Sequence, residues 1–508
     1  MKKYIYIAIA SLTLFSTAVI SCTDEFVERP VQYSIDSENY FNSKTDYENA
    51  LIGAYDMLQS SFINVLMGEI ASDNTFAGGN GPNDVPGYQS VDDMIHTPVN
   101  AQIKQLWDWM FAGVQRCNYI MEFKDKTDFV GKNQIIAQTR FLRAYYHFEL
   151  VKWFGGIPMK GDKRFSTGDE KSIPRSSVSD VYASIEADLI YASQNLSSIA
   201  AQKGRATSGA ALALLGKAYL YQGKYTEAAD TFETLISTNN YRLVTTADLT
   251  PQQITDGLTP FGSIFEDAGE NGPESVFEIQ YTDVEGGSYS GMQNIEGNVA
   301  VGFAGPFGYE GPVFADGNNF NLPTPKIVSA FTTGDLRKDV TILDMATWIP
   351  AHPGSKYTKQ HEDTGFFNRK YIPRTRRPEA AGDVKLTSPN NYRAIRYADV
   401  LLMAAEANNK KTNNDDAKAR NYLNMVRDRA FGDVNHRITA SGTALYDAIL
   451  AERRVELAGE GHRFFDLVRT GKAAQEIDGF VTGKHELFPI PLEEIQFAAG
   501  NWAQNPNY

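Results

Sequence analysis

The sequence predicts a mainly α fold in which pairs of helices support a large irregular region. First, the chain divides by texture: residues 35–240 and 391–475 are helix-rich, whereas residues 241–390 are rich in Gly, Pro, Asn and aromatic residues. Second, apolar residues recur every three or four positions in both helical parts, as they do on one face of an α-helix. Third, small residues alternate there with large aromatics, which is typical of closely packed antiparallel helices.

The first residues have the pattern of a secretory signal. Lys2 and Lys3 precede an apolar stretch over residues 5–20, which is short for a transmembrane helix because a bilayer needs about 20 apolar residues. The stretch ends in Val19-Ile20-Ser21-Cys22, which resembles a bacterial lipobox. We therefore expect removal of residues 1–21 and lipidation of Cys22, so that the chain is tethered to a membrane without spanning it. The alternative is an ordinary signal peptide with an accidental cysteine.

The two cysteines have different predicted surroundings. Thr23-Asp24-Glu25 follow Cys22 directly and resemble a surface-export signal of Bacteroidota lipoproteins; a solvated tether is the alternative. Cys117 lies in an apolar-rich helical stretch and has no partner for a disulfide. We expect it to be a buried small hydrophobe and not a catalytic thiol.

The charge of the chain limits its partners. A net charge of −14 argues against a general nucleic-acid binder, which needs a basic face, and it disfavours strongly anionic polymers. A local exception is Arg369-Lys370 with Arg374-x-Arg376-Arg377. This pattern is compatible with a basic patch, a solvated loop or a contact with a partner.

Two helices can be located from their periodicity and their ends. Residues 137–154 are apolar nearly all round, which predicts a central buried helix that stops at Gly155-Gly156-Ile157-Pro158. His147, within this helix, is predicted to be a satisfied core histidine. Val181 begins another apolar stripe, and residues 177–179 precede it as N-cap candidates.

Residues 208–240 carry the strongest internal signal, which matches much of the tetratricopeptide pattern. Small residues let two antiparallel helices approach closely, and aromatics fill the gap. Leu212 stands in place of the Trp of the pattern, and its closing Pro is absent. A second, weaker pair is predicted over residues 396–408 and 415–430. We expect separated helical hairpins that form a scaffold or docking surface, not a tandem array. The matching residues are Leu215-Gly216, Tyr219, Gly223, Ala228 and Phe232.

The irregular region has the composition of a ligand site. Long loops inside a globular protein are usually functional, and residues 71–98 and 276–373 combine glycines with aromatic and Asn or Asp residues. Aromatic faces suit the CH side of a sugar ring, and amides and carboxylates suit its hydroxyls. The alternative for each aromatic is that it pins its loop to the core. The predicted ligand contacts are Asp73, Asn74, Tyr88, Tyr289, Phe307, Tyr309 and Trp348, with Trp348 and Tyr289 as the preferred stacking platforms.

Motifs that would indicate an enzyme are missing from the sequence. A glycosidase needs two carboxylates across one cleft, and no pair stands out among the 62 acidic residues. The seven histidines show no metal-binding spacing such as HExxH. GxSxG, GxGxxG and P-loop patterns do not occur in a strand-to-helix context. We therefore predict no catalytic residues, no cofactor and no metal ligands.

Residues 451–472 form the most distinctive polar segment, with Glu452-Arg453-Arg454-Val455-Glu456-Leu457 followed by His462-Arg463-Phe464-Phe465-Asp466-Leu467-Val468-Arg469. Side chains three apart on a helix can pair. This spacing predicts pairs of Arg453 with Glu456, and of Asp466 with Arg463 and Arg469. We interpret the segment as a buried salt-bridge cluster that links two helices, because such networks are commonly structural and not catalytic.

The same segment closely resembles the C-terminal signature of SusD/RagB-type lipoproteins. The similarity runs nearly end to end and includes the lipobox. It implies a single SusD-like domain over residues 22–508, with tetratricopeptide-like helical hairpins and a large, loop-rich ligand-binding region. Other segments that resemble this family are Arg140-Phe141-Leu142-Arg143-Ala144-Tyr145-Tyr146, Trp153-Phe154-Gly155-Gly156-Ile157-Pro158, residues 397–407, Phe488-Pro489-Ile490-Pro491 and Asn505-Pro506-Asn507-Tyr508.

The resemblance also implies a function. Proteins of this kind are lipid-anchored at the outer membrane, face the cell exterior, bind oligosaccharides without cutting them and pair with a SusC-like TonB-dependent transporter. We expect this chain to capture a glycan, with a neutral one favoured by the acidic balance, and to deliver it to such a transporter. The alternatives are capture of a peptide or another nutrient, a glycoside hydrolase, and a structural partner without a ligand. Some relatives hold a structural calcium ion, but no calcium-loop motif occurs here.

Overall fold

A computed structural model describes residues 39–285, 287, 289, 296–374 and 382–508. Helices dominate before residue 240 and after residue 396, so the prediction of a mainly α fold is confirmed. The helices are α1 (Lys44–Asp56), α2 (Phe62–Ile70), α3 (Pro86–Asp92), α4 (Ala101–Glu122), α5 (Lys132–Phe154), α6 (Val178–Asn195), α7 (Ser208–Tyr221), α8 (Tyr225–Ser237), α9 (Pro251–Thr255), α10 (Pro260–Ser263), α11 (Val299–Phe303), α12 (Pro325–Ala330), α13 (Lys338–Thr341), α14 (Met345–Ala351), α15 (Tyr397–Lys410), α16 (Asp416–Phe431), α17 (Gly442–Glu456), α18 (Arg463–Arg469), α19 (Ala473–Glu476) and α20 (Leu492–Phe497). The strands are β1 (Thr75–Gly78), β2 (Ser275–Ile279), β3 (Phe320–Pro323), β4 (Ile342–Asp344), β5 (Phe366–Asn368) and β6 (Tyr392–Arg396).

Local sequence signals set the ends of the long helices. The predicted helix over residues 137–154 is α5, which begins five residues earlier and ends at Gly155, whose φ of 70° is open to glycine but strained for other residues. Helix α6 begins after Ser177, whose hydroxyl accepts a 3.1 Å hydrogen bond from the Asp180 amide. This bond satisfies one of the amides that a helix N-terminus leaves without an intrahelical partner.

Helices that are separated in the chain form one stacked layer in space. Helices α4 to α8 pack in chain order, each against the one that follows it as far as α8. Helix α15 then packs against both α8 and α16. Both predicted hairpins are therefore present, as α7–α8 and α15–α16. They are separated in the chain, as predicted, because the irregular region lies between them, but α8 and α15 pack together in space.

The part of the chain that the structure describes contains three two-stranded antiparallel sheets. Strand β2 pairs with β6, which continues directly into α15. Strand β1 pairs with β3, with Phe76 opposite Leu322. The two loop segments that composition identified, residues 71–98 and 276–373, are thus joined side by side.

Two titratable side chains of the helical layer, Cys117 and His147, are buried. Cys117 is buried as a free thiol, as predicted. His147 is also buried, and burial together with the charge of Arg143 lowers its pKa to about 3, so that it is a neutral core histidine at physiological pH. Among the described residues, none of the helices combines the length and apolar character needed to cross a membrane.

The polar segment over residues 451–472 is a buried ion-pair cluster, as predicted, but most of its partners differ. Arg453 pairs with Asp399 at 2.7 Å and with Asp466 at 3.0 Å, not with Glu456. Arg463 pairs with Asp73 at 2.8 Å, not with Asp466. The pair of Asp466 with Arg469, 2.7 Å apart, is confirmed. The spacing rule failed because these helices bury the arginines against carboxylates from distant segments.

Two helical glycines give a matched test of the hairpin packing. A Cβ at Gly216 in α7 would lie 2.5 Å from a ring atom of Phe232 in α8, whereas a Cβ at Gly53 in α1 would meet only the end of Arg116 at 4.0 Å. We expect Gly216→Ala to destabilise the fold by about 1–3 kcal/mol, because overpacking forces the helices apart. Gly53→Ala should be neutral or stabilise by up to about 1 kcal/mol. Urea unfolding measures both, and equal effects would contradict this account of the α7–α8 contact.

Candidate functional site

The predicted platform Tyr289 lies on the surface of the irregular region. Its side chain is 51% exposed, and its hydroxyl accepts a 3.0 Å hydrogen bond from Nδ2 of Asn318. Partial burial raises the pKa of Tyr289, and the carboxylates of Asp383, Asp316 and Asp84 act in the same direction. The phenol therefore stays protonated and can donate a hydrogen bond to a ligand while its ring remains accessible.

A cation and a second aromatic ring belong to the segments next to Asn318, because Lys385 Nζ donates a 3.0 Å hydrogen bond to the carbonyl of Gly317. Lys385 Nζ sits 4.8 Å from the ring centroid of Phe307 and 2.8 Å from a carboxylate oxygen of Asp316. The ring of Phe307 is partly exposed. We call the set of Tyr289, Phe307, Asp316, Asn318 and Lys385 the Tyr289 surface. It offers an aromatic face, an amide, a carboxylate and an ammonium group, which together can stack on a sugar ring and bond its hydroxyls.

Trp348 is less available than the sequence predicted. Its ring stacks on His352, with centroids 3.8 Å apart and planes 27° apart, and its Nε1 donates a 2.9 Å hydrogen bond to the hydroxyl of Tyr309. Tyr309 itself is only 5% exposed. Both residues belong to a small second core with Phe314 and Phe367. The prediction of Tyr309 as a ligand contact is therefore corrected, because its side chain is buried in this core. Trp348 is partly exposed, so its role as a stacking platform stays a prediction.

Asp73, Asn74 and Tyr88 are buried and do not form ligand contacts at the surface. Asp73 is held by Arg454 at 2.6 Å and by Arg463 at 2.8 Å. Asn74 accepts a 3.0 Å hydrogen bond from Arg454, and Tyr88 is 2% exposed in α3. These predictions are corrected: Asp73 and Asn74 attach the loop over residues 71–98 to the scaffold, and Tyr88 packs against Phe303 and Phe320 of the irregular region.

Two carboxylates that the sequence did not reveal shape the β1 turn next to the site. Asp92 accepts a 2.6 Å hydrogen bond from the Ala77 amide, and Glu362 accepts one of 3.0 Å from the Gly78 amide. Asn319 holds the same turn by donating to the carbonyl of Gly79 at 3.1 Å. Asp92 and Glu362 are far apart in the chain, so no local pattern could have identified this arrangement.

The remaining predicted features are partly outside the described residues. Cys22, Arg376 and Arg377 lie outside them. Lys370 is buried and pairs with Glu460 at 2.7 Å, so it does not belong to a basic patch. Arg369 and Arg374 line a shallow cleft of about 330 Å³ together with Glu266. Within the described part of the chain, no three His, Cys, Asp or Glu side chains are placed to hold a metal ion.

Two family models match the chain. One, described as "SusD family", covers residues 341–487, and the other, described as "Starch-binding associating with outer membrane", covers residues 27–220. The solved structure of a laminarin-binding SusD-like protein is 32% identical, covers 92% of this chain and 100% of its own, and superposes with a TM-score of 0.81. The chain belongs to the SusD family.

Two further relatives are similar over nearly the whole chain. The surface glycan-binding protein A of Bacteroides thetaiotaomicron, solved in complex with laminarihexaose, is 27% identical over 92% of this chain and 100% of its own, with a TM-score of 0.79. The SusD-like protein P38 of Formosa agariphila is 27% identical over 95% of both chains. The predicted resemblance is thereby confirmed across nearly the whole sequence.

The β1 turn predicts a pH dependence of stability. Burial raises the pKa of Asp92 to about 8, and the negative charges of Glu362 and Asp93 act in the same direction. The unfolded chain releases this proton near the ordinary value of 3.8, so the folded state binds more protons between about pH 4 and pH 8 and loses stability as the pH rises through that window. Asp92→Asn keeps an acceptor for the Ala77 amide and removes the titration.

We expect Asp92→Asn to be more stable than the parent protein at pH 8 and about equally stable at pH 4. Thermal unfolding at both pH values measures the difference, and Asp230→Asn, which removes an exposed carboxylate on α8, serves as the control. A variant that gains no stability at pH 8 would show that Asp92 is already ionised in the fold.

Proposed function

We propose that this SusD-family protein captures a neutral glucan of the laminarin class at the Tyr289 surface without cleaving it. The observation that carries the proposal is the full-length structural similarity to a laminarin-binding SusD-like protein at 32% identity. A second relative is a surface glycan-binding protein solved with laminarihexaose. Both of these ligands are uncharged glucans, which agrees with the net charge of −14 of the chain.

The chemistry of the Tyr289 surface supports binding of such a ligand. The ring of Tyr289 can stack on the CH face of a glucose unit, because about half of the residue is exposed. Asn318, Asp316 and Lys385 present a donor amide, an acceptor carboxylate and a donor ammonium group for sugar hydroxyls. The ammonium group of Lys385 forms an ion pair with Asp316 at 2.8 Å, so it does not favour an anionic polymer.

We further propose that the protein is a lipoprotein anchored by Cys22 on the outer face of the outer membrane. There it would pass its glycan to a SusC-like TonB-dependent transporter. The lipobox-like sequence ending at Cys22 supports the anchor. The matching family described as "Starch-binding associating with outer membrane" supports the location. Membership of the family supports the proposed pairing with a transporter.

Removal of the exposed ring should weaken glycan binding. Calorimetric titration of the full-length protein in detergent with laminarihexaose should show binding that Tyr289→Ala weakens by about 1–3 kcal/mol, by analogy with stacking of other ligands on exposed aromatics. Tyr289→Phe should retain most of the affinity if the ring face dominates. Phe497→Ala, which removes an exposed ring with 57% exposure on α20, is the matched control and should bind as the parent does.

The same titration separates the alternatives. Binding of a peptide panel with no binding of any neutral glycan would replace the proposed ligand by a peptide. New reducing ends after incubation with laminarin would show a hydrolase. Equal affinities of the parent and Tyr289→Ala proteins for laminarihexaose would place the glycan elsewhere on the molecule.

The anchor can be tested with the two cysteines as a matched pair. In a bacterial host that lipidates such proteins, Cys22→Ser should abolish incorporation of a labelled fatty acid and release the protein from the membrane fraction. Cys117→Ala should leave both unchanged. Protease treatment of intact cells should digest the parent protein if it faces the exterior; full protection would contradict surface exposure. Labelling that persists in Cys22→Ser would refute the anchor.

A further inference from the structure

A second cleft, remote in sequence from the Tyr289 surface, has aromatic walls. It lies between α4, the connection after α5 and the C-terminal segment, and has a volume of about 330 Å³. Four rings form a continuous chain along it: Phe165 to Phe111 at 6.1 Å, Phe111 to Trp107 at 4.6 Å, and Trp107 to Trp502 at 6.2 Å. We call this cleft the Phe111 groove.

Hydrogen bonds hold the walls of the Phe111 groove in place. Gln115 donates from Nε2 to the carbonyl of Phe165 at 2.9 Å and accepts from the Phe165 amide at 2.8 Å. Trp502 donates from Nε1 to the carbonyl of Ile173 at 2.8 Å. The groove is therefore formed before any partner arrives, so that little ordering opposes binding.

The rim of the Phe111 groove is acidic. The described residues that line it include Asp108, Asp169, Glu170 and Glu494 and no Lys or Arg. Lys104, outside the lining, is shared between Asp108 at 2.8 Å and Glu494 at 3.4 Å. Burial raises the pKa of Asp108 and of Glu494, and the positive charge of Lys104 only partly offsets this increase.

Aromatic rings and carboxylates favour the same kind of ligand group. The faces of Trp and Phe rings carry negative electrostatic potential that attracts an ammonium or guanidinium group, and the neighbouring carboxylates can bond it. The apolar walls gain further from burying the stem of a long cationic side chain. An anion, or a neutral sugar without a cationic group, satisfies only part of this lining.

We propose that the Phe111 groove is a docking site for a protein partner that inserts an arginine or lysine side chain flanked by an apolar residue. The occupant follows from charge complementarity: four carboxylates line the aromatic cleft, and the two lysines that pair with them from outside the lining, Lys104 and Lys160, leave a net negative charge. The volume of about 330 Å³ has room for one long side chain with a neighbour. The inference does not depend on which ligand occupies the Tyr289 surface.

The test uses two capped peptides that differ only in charge, Leu-Arg-Leu and Leu-citrulline-Leu, titrated by NMR into the full-length protein in detergent. Citrulline has nearly the shape of arginine without its positive charge. We expect the arginine peptide to bind at least about tenfold more tightly and the difference to shrink with added salt. Equal binding of the two peptides, or binding of neither, would overturn the proposal.

Variants locate the binding on the groove. Phe111→Ala, and separately the double change Asp108→Asn with Glu494→Gln, should each reduce affinity for the arginine peptide by roughly tenfold. Asp447→Asn removes an exposed carboxylate elsewhere and should have no effect; an effect equal to that of the double variant would refute the site. Unchanged laminarihexaose binding by the groove variants shows that they are folded. Displacement of the peptide by laminarihexaose from Tyr289→Ala protein would assign the groove to glycan instead.

Discussion

The arrangement of the whole chain depends on a carboxylate buried where three distant segments meet. Glu456, at the end of α17, contacts Arg337 at 2.9 Å, Arg396 at 2.9 Å and Arg429 at 2.6 Å. Burial alone would raise the pKa of Glu456, but the three guanidinium groups outweigh it and hold that pKa below its ordinary value. Breaking a buried pair of this kind typically costs about 3–5 kcal/mol, because it leaves a charge without a partner in the interior.

These ion pairs explain how a loop-rich region can be held firmly on helices. Arg337 comes from the irregular region, Arg396 from β6 and Arg429 from α16, so one carboxylate fixes their relative positions. Asp73 is the opposite case, a carboxylate in the loop over residues 71–98 that pairs with Arg454 and Arg463 on the scaffold. These pairs hold the loop on the helices. Directional charge contacts thus add to the apolar packing of the irregular region in specifying one arrangement.

The helices could be predicted from the sequence because their apolar stripes repeat locally. The hairpin over residues 208–240 could be predicted because Gly216 and Phe232 match the spacing of the tetratricopeptide pattern. The partners of Arg453 and Arg463 could not, because they are set by the packing of distant elements and not by positions three apart. The site divides in the same way. Composition identified the loops that carry it, but Tyr289, Tyr309 and Tyr88 are the same residue type with exposures of 51%, 5% and 2%. Tyr88 is buried in the main core and Tyr309 in the small core around Trp348, so packing, which the sequence does not show, decides which ring remains free.

The two candidate surfaces are built on one packed framework, which limits how they can influence each other. Helix α2 contacts α11 of the irregular region on one side and α4, which carries Phe111, on the other. All nine residues of α2 are buried, and an interior packed to this extent offers no second arrangement for a ligand to select. A ligand shifts an equilibrium only between states that exist and that it binds differently. Occupation of the Phe111 groove should therefore leave the Tyr289 surface unchanged, and a glycan and a docked partner can be held at the same time.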